Sequence, residues 1–232
     1  MAKHKHKKGD FTFDFSSLTL KIAEKEHAKE VPHLSTEPVS FDNALDLVRT
    51  IDITKDYFCF VPGSFIFGDM LEALLFEKKL APDKMYVTTL GMSRENIDSL
   101  VNCTRYLHCK HLYLLVSNYY MGVERHNNVP YLEKEFTGEP IDVAVLASHC
   151  KIALIRSHKG DMLISGSANL SSSNNVEQFC IMHDEAAIDY CENKLNNVFE
   201  RFTVFKGLEN KSVDWQKNKG NTGVKAWDNL KG

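Results

Sequence analysis

The tightest constraint on how this chain folds lies between residues 149 and 177. Two short apolar runs, Ile152-Ala153-Leu154-Ile155 and Met162-Leu163-Ile164, flank a polar turn, Ser157-His158-Lys159-Gly160. Runs this short on either side of a glycine-containing turn suit a β-hairpin and are too brief for a helix pair. If Arg156 faces Asp161 across the turn, His149 comes opposite Ala168. The segment Gly166-Ser167-Ala168-Asn169 then ends the second strand beside His149 and Lys151. Because side chains alternate along a strand, His149 and Lys151 are expected on one face.

That combination suits a phosphate. A neutral imidazole can attack phosphorus, while the Lys151 ammonium and the Asn169 carboxamide hold the non-bridging oxygens. The hydroxyl of Ser167 either caps the chain or touches the phosphate. These groups supply the charge stabilisation themselves, so neither metal nor cofactor is expected. His158 sits in the turn beside Lys159 and Gly160 and is expected in solvent.

The order His149-x-Lys151, then Gly166-Ser167-x-Asn169, then Asn175-x-Glu177 resembles the signature of the phospholipase D superfamily, the HKD motif. The resemblance covers roughly residues 50–205. It implies a phospholipase D-like half and catalytic roles for His149, Lys151, Ser167, Asn169 and Glu177. The sequence departs from the pattern at one point. The family has an Asp five residues after the Lys, generally regarded as structural, and Arg156 stands there, with Asp161 on the facing strand able to take over its pairing. In members with two motifs, one histidine attacks phosphorus and the other protonates the leaving oxygen. This chain offers one: Pro62-Gly63-Ser64 has no Asn two residues after its Ser, and no H-x-K precedes it. The resemblance therefore implies a homodimer in which two His149 side chains meet across a two-fold axis. A carboxylate at Glu177 would hold the imidazole by accepting its second N–H.

Length and charge set outer limits. A chain of 232 residues, 43% of them hydrophobic, can bury a full core. No run approaches the ~18–20 apolar residues of a membrane span, and no basic-then-apolar leader opens the chain, so a cytoplasmic protein is expected. The six cysteines, Cys59, Cys103, Cys109, Cys150, Cys180 and Cys191, show no paired spacing. Cys103, His108, Cys109 and His111 cluster, but at spacings that fit no regular zinc pattern. The formal charge is −3 overall, yet four lysines fall in residues 1–9, and six lysines oppose only Glu209, Asp214 and Asp228 in residues 206–232. The middle of the chain is correspondingly acidic, so a polyanion should meet a local basic patch or the basic ends.

The order of elements predicts an α/β fold: a mixed, largely parallel sheet flanked by helices on both faces. Strands are expected at 57–61, 85–90, 112–116, 141–147 and 178–182 around the hairpin. Helices are expected at 69–79, from Ser93 through Leu107, and over 185–203, with a further one from Ser40 through Arg49. Residues 11–15 alternate like an edge strand and 24–39 read as a polar connection. Three regions follow: a basic arm and N-terminal extension (1–49), a catalytic domain (50–205) and a polar basic tail (206–232). In the tail, Trp215 and Trp227 either stack on bases or a partner, or pack one ring on the core.

Three functions remain open. The first is a metal-independent phosphodiesterase, a nuclease acting on DNA or RNA. The second is an enzyme of lipid or small-molecule phosphodiesters, which would need an apolar entrance. The third is a binding module that keeps the fold without turnover.

Overall fold

The computed structural model describes residues 41–61, 66–170 and 176–218. The expected strand at 11–15, the connection at 24–39, the Ser40 cap, the Pro62-Gly63-Ser64 segment and Trp227 lie outside these. The elements run α1 (Phe41–Thr50), β1 (Tyr57–Val61), α2 (Phe67–Lys78), β2 (Lys84–Thr89), α3 (Arg94–Arg105), β3 (Leu112–Ser117), α4 (Asn118–Val123), α5 (Asn128–Phe136), β4 (Ile141–Leu146), β5 (Ile152–Arg156), β6 (Met162–Gly166), β7 (Glu177–Met182), α6 (Glu185–Phe202), β8 (Thr203–Lys206) and β9 (Lys211–Ser212), with a short 3-10 helix at Trp215–Asn218.

Among the described residues, nine strands join one sheet in the order β1-β7-β6-β5-β2-β3-β4-β8-β9. The fold is mixed α/β as expected, but the balance of its sheet differs from the expectation. Only β2–β3 and β3–β4 pair in parallel, and the other six pairings are antiparallel. The parallel centre is built by the crossover through α3, which the sequence predicts, and by a second through α4 and α5, which it does not. The hairpin and β7 then add antiparallel on one side, and the chain's return through β8 and β9 adds antiparallel on the other.

Alternation along the strands divides two cores. On one face Met85, Val87, Leu112, Leu114, Val143, Val145, Ala153, Ile155 and Ile164 pack with α1, α2, α3, α4 and α5. On the other, Tyr86, Leu115, Ala144, Leu154 and Leu163 pack under Ile188, Leu195, Val198, Phe199 and Phe202 of α6. Helix α6 starts where Asp184 accepts the Ala187 N–H at 2.7 Å, the carboxylate also complementing the helix dipole. It stops at Phe202, and the β-branched Thr203 and Val204 run straight into a strand. Helix α1 and the β8–β9 hairpin extend the packed body on both sides of residues 50–205. Trp215 packs against the larger core.

The hairpin has the register its turn demands: Ile152 faces Ser165 and Ile155 faces Met162. Past the last pair, Arg156 and Asp161 meet in a salt bridge of 2.7 Å, and Gly160 takes a φ of +137° that an L side chain rarely adopts. Arg156 also reaches the carboxylates of Asp189 and of Glu192, the latter at 2.7 Å, on α6. Lys84 binds Glu192 as well, at 3.1 Å. Burial works against the Arg156 charge, but hydrogen bonds to Asp189, Asp161 and Glu192 outweigh it and hold the guanidinium's pKa above its ordinary value. Arg156 thus fastens the hairpin to α6.

Candidate active site

The sheet end opposite that turn collects the candidate residues. Strand β5 begins only at Ile152, so residues 147–151 precede it and the expected alternation does not reach His149 and Lys151. Those two are linked differently: the Lys151 ammonium donates to the His149 carbonyl at 3.3 Å. The imidazole is exposed and walls a pocket of about 510 Å³ between the sheet and α6, whose other walls include Leu115, Leu146, Ile152, Leu163, Leu195 and Val198. The hairpin ladder carries on beside Lys151, whose carbonyl accepts the Gly166 N–H at 3.2 Å. A methyl group on Gly166 would sit 2.3 Å from the Gln178 carbonyl and 2.7 Å from the Phe179 Cβ, so the glycine permits β6 and β7 to approach here.

Ser167 is fixed by three bonds to β7. Its N–H donates to the Gln178 carbonyl at 2.9 Å, its hydroxyl accepts the Gln178 N–H at 3.0 Å, and the same hydroxyl donates to the Glu177 carboxylate. Glu177 was expected to hold His149. Among the described residues its hydrogen-bond partner is Ser167, and the His149 ring makes no hydrogen bond with Ser167, Asn169 or Glu177. The Asn169 carboxamide oxygen is buried and accepts no hydrogen bond from a described residue, so the fold does not consume that group.

Two threonines that the sequence reading overlooked position both arms of the site. Thr88 Oγ1 accepts the Ile152 N–H at 2.9 Å, fixing the chain next to Lys151. Thr89 Oγ1 accepts the Leu170 N–H at 3.1 Å, fixing the chain next to Asn169, and donates to the Gly91 carbonyl at 2.6 Å. Ser93 N–H closes the same corner on the Leu170 carbonyl at 2.7 Å. Both threonines are buried. The available signal was a pair of hydroxyls ending an otherwise apolar strand, where backbone donors from neighbouring loops need acceptors.

His158 is exposed in the hairpin turn, separated from His149 by the whole of β5, roughly 17 Å at the usual strand rise. The two cannot share a site within one chain. The other cluster singled out by sequence is also dispersed. Cys103 and Cys109 are buried, with burial pushing the Cys109 thiol up to about 12 and Cys103 well above its ordinary value. The His111 ring lies over Tyr113 and its Nε2 is 3.4 Å from Asp142. Among the described residues, no group of three or more His, Cys, Asp and Glu side chains is arranged to hold a metal ion, and no helix is long and apolar enough to cross a membrane.

No family model matches the chain, and no curated protein is significantly similar to it in sequence. Solved structures do superpose. A polyphosphate kinase from Porphyromonas gingivalis is 16% identical with a TM-score of 0.49 over 73% of this chain. NucT from Helicobacter pylori is 16% identical with a TM-score of 0.45, covering 64% of this chain and 98% of its own length. A phosphatidylserine synthase from Haemophilus influenzae Rd KW20 is 12% identical with a TM-score of 0.42 over 72% of this chain. The chain spans only 29% of that kinase and 43% of that synthase. At such scores the likenesses carry no assignment of chemistry, which rests on the side chains at the sheet end.

Proposed function

We propose that this protein is a metal-independent phosphodiesterase, a nuclease that cleaves nucleic-acid phosphodiester bonds through a phosphohistidine at a homodimer interface. The observation that carries this reading is the hairpin register, which delivers His149 and Lys151 on one arm and Ser167 and Asn169 on the other to a single sheet end. In the proposed reaction the His149 imidazole attacks phosphorus, and the leaving oxygen takes a proton from the second copy's His149. Water then displaces the histidine with that second imidazole as base. Lys151 and Asn169 stabilise the charge on the non-bridging oxygens. Ser167 links Glu177 to this end of the sheet and orients the surrounding loop. His158 is too distant to serve as the second histidine, which favours a second copy as its source.

The reading is tested with bis(p-nitrophenyl) phosphate in excess EDTA. Wild-type protein should hydrolyse the diester at the same rate with and without chelator, while His149→Ala should lose at least 10²-fold in turnover and keep its thermal melt. Loss of wild-type activity in EDTA, restored by Mg²⁺ or Zn²⁺, would overturn the assignment. The apolar pocket beside His149 favours a second reading, a phosphodiester bearing an apolar substituent. Parallel assays on single-stranded DNA, RNA and phosphatidylcholine vesicles separate the two.

A further inference from the structure

The residue between the two proposed catalytic side chains is a cysteine, and it shares a pocket with another. Cys150 is exposed, while Cys191, on the first half of α6, is half-buried. Both residues line the same 510 Å³ pocket. Burial first, and the neighbouring Cys150 second, push the Cys191 thiol up to about 11. Cys191 is therefore protonated at neutral pH, whereas Cys150 is the member of the pair open to solvent. The remaining cysteines are placed otherwise: Cys59, Cys103 and Cys109 are buried, and Cys180 lies on β7 with its thiol against the Ser165 carbonyl at 3.4 Å.

We propose that Cys150 and Cys191 form an oxidant-sensitive modification site, in which a peroxide converts Cys150 to a sulfenic acid and Cys191 resolves it to a disulfide. In the first step the Cys150 thiolate attacks one peroxide oxygen, the O–O bond breaks, and water leaves after protonation. In the second the Cys191 sulfur attacks the Cys150 sulfur as its thiol gives up its proton, the S–O bond breaks, and the hydroxyl leaves with that proton as a second water. Two thiols lose two electrons in all and one peroxide gains them. The residues joined explain the consequence. Cys150 belongs to the segment preceding β5, held by the Cys150 N–H on Ser148 Oγ at 3.1 Å, whereas Cys191 belongs to the helix that roofs the pocket. A bond between them ties the His149–Lys151 segment to α6 and obstructs the pocket.

Peptide mapping of the full chain tests the site without reference to activity. The protein is treated with hydrogen peroxide, free thiols are blocked with N-ethylmaleimide, and non-reduced peptides are read by mass spectrometry. The expected product is a Cys150–Cys191 cross-link that disappears in Cys150→Ser and in Cys191→Ser and is reversed by dithiothreitol. A Cys150–Cys150 link between two chains, oxidation of Cys150 that leaves Cys191 alkylated, or modification of neither would each overturn the proposal. A second arm rests on the phosphodiesterase reading. Peroxide should lower wild-type hydrolysis at least tenfold, whereas the ratio of oxidised to reduced activity in Cys191→Ser should stay near one. A wild-type chain that forms the cross-link and never hydrolysed a phosphodiester would count against the function alone. One that hydrolyses, forms the cross-link and loses no activity would count against the regulatory consequence.

Discussion

Replacing Arg156 tests the idea that its guanidinium clamps the hairpin to α6. The Arg156 side chain is 18% exposed and its guanidinium meets Asp161, Asp189 and Glu192, whose side chains are 37%, 56% and 15% exposed. Exposed pairs contribute about 0.5 kcal/mol each, which covers Asp161 and Asp189. Stripping a partner from a buried carboxylate costs about 3–5 kcal/mol. Glu192 keeps Lys84 at 3.1 Å and the Tyr86 hydroxyl at 3.3 Å, so its share comes to about 2 kcal/mol. Arg156→Ala should therefore cost about 3 kcal/mol, a fall of roughly 6–12 °C in Tm for a domain of this size. Arg156→Asp should cost more, because it sets a fourth carboxylate among three. The pH dependence carries a sign. Burial raises the Glu192 pKa, but hydrogen bonds from Lys84 and Arg156 outweigh it and leave the group below its ordinary 4.5. Its stabilisation is thus present above about pH 4.5 and is lost as pH falls through the depressed pKa. The penalty of Arg156→Ala should be full at pH 7 and shrink below pH 4, as read by urea unfolding at several pH values. A loss under 1 kcal/mol, a pH-independent loss, or an Arg156→Asp variant as stable as wild type would refute the clamp.

Thr89→Val should remove the acceptor of the Leu170 N–H and leave that buried donor unsatisfied, costing about 1–3 kcal/mol and lowering turnover, while Thr89→Ser recovers most of both; equal activity of wild type and Thr89→Val in the diester assay would contradict its positioning role. Mixing wild-type and His149→Ala chains should give heterodimers with one intact histidine, so that activity falls well below the wild-type fraction, whereas strict proportionality, or a fully active monomer by sedimentation, would dismiss the shared site. Glu177→Gln should preserve the oligomer but weaken the hydrogen bond from Ser167 and lower turnover, checked by paired sedimentation and kinetics, and unchanged turnover would contradict that role.

The hairpin was legible because its signals are local. Its apolar runs, its turn and the pairing of Arg156 with Asp161 all lie within about 25 residues, and the register followed. The crossover helices were legible from apolar stripes such as Ile97, Leu100 and Val101. What escaped has a physical cause in each case. Helices α4 and α5 are short, so Tyr120 and Met121 on the one and Val129, Leu132 and Phe136 on the other are too few to stand out as a stripe. Strand β8 follows α6 without a turn residue, and the apolar stripe of the helix runs on into it. The antiparallel pairing of β5 with β2, which limits the parallel region to three strands, depends on contacts between residues about 70 apart. At the site, the residue types and their common sheet end could be read, but not their contacts. Strand alternation stops at Ile152, Glu177 engages Ser167 within the chain, and the supporting acceptors come from Thr88 and Thr89 on a distant strand.

The central claim is that His149 forms a bond to phosphorus. Rapid acid-free quenching of the wild-type protein with an excess of ³²P-labelled diester, followed by alkaline peptide mapping, measures it directly. The account predicts an alkali-stable, acid-labile phosphoryl group on the peptide containing His149, formed in EDTA at a rate no slower than turnover and absent from His149→Ala. Steady turnover with no labelled His149 peptide, or a phosphoryl group on any other residue, would contradict it.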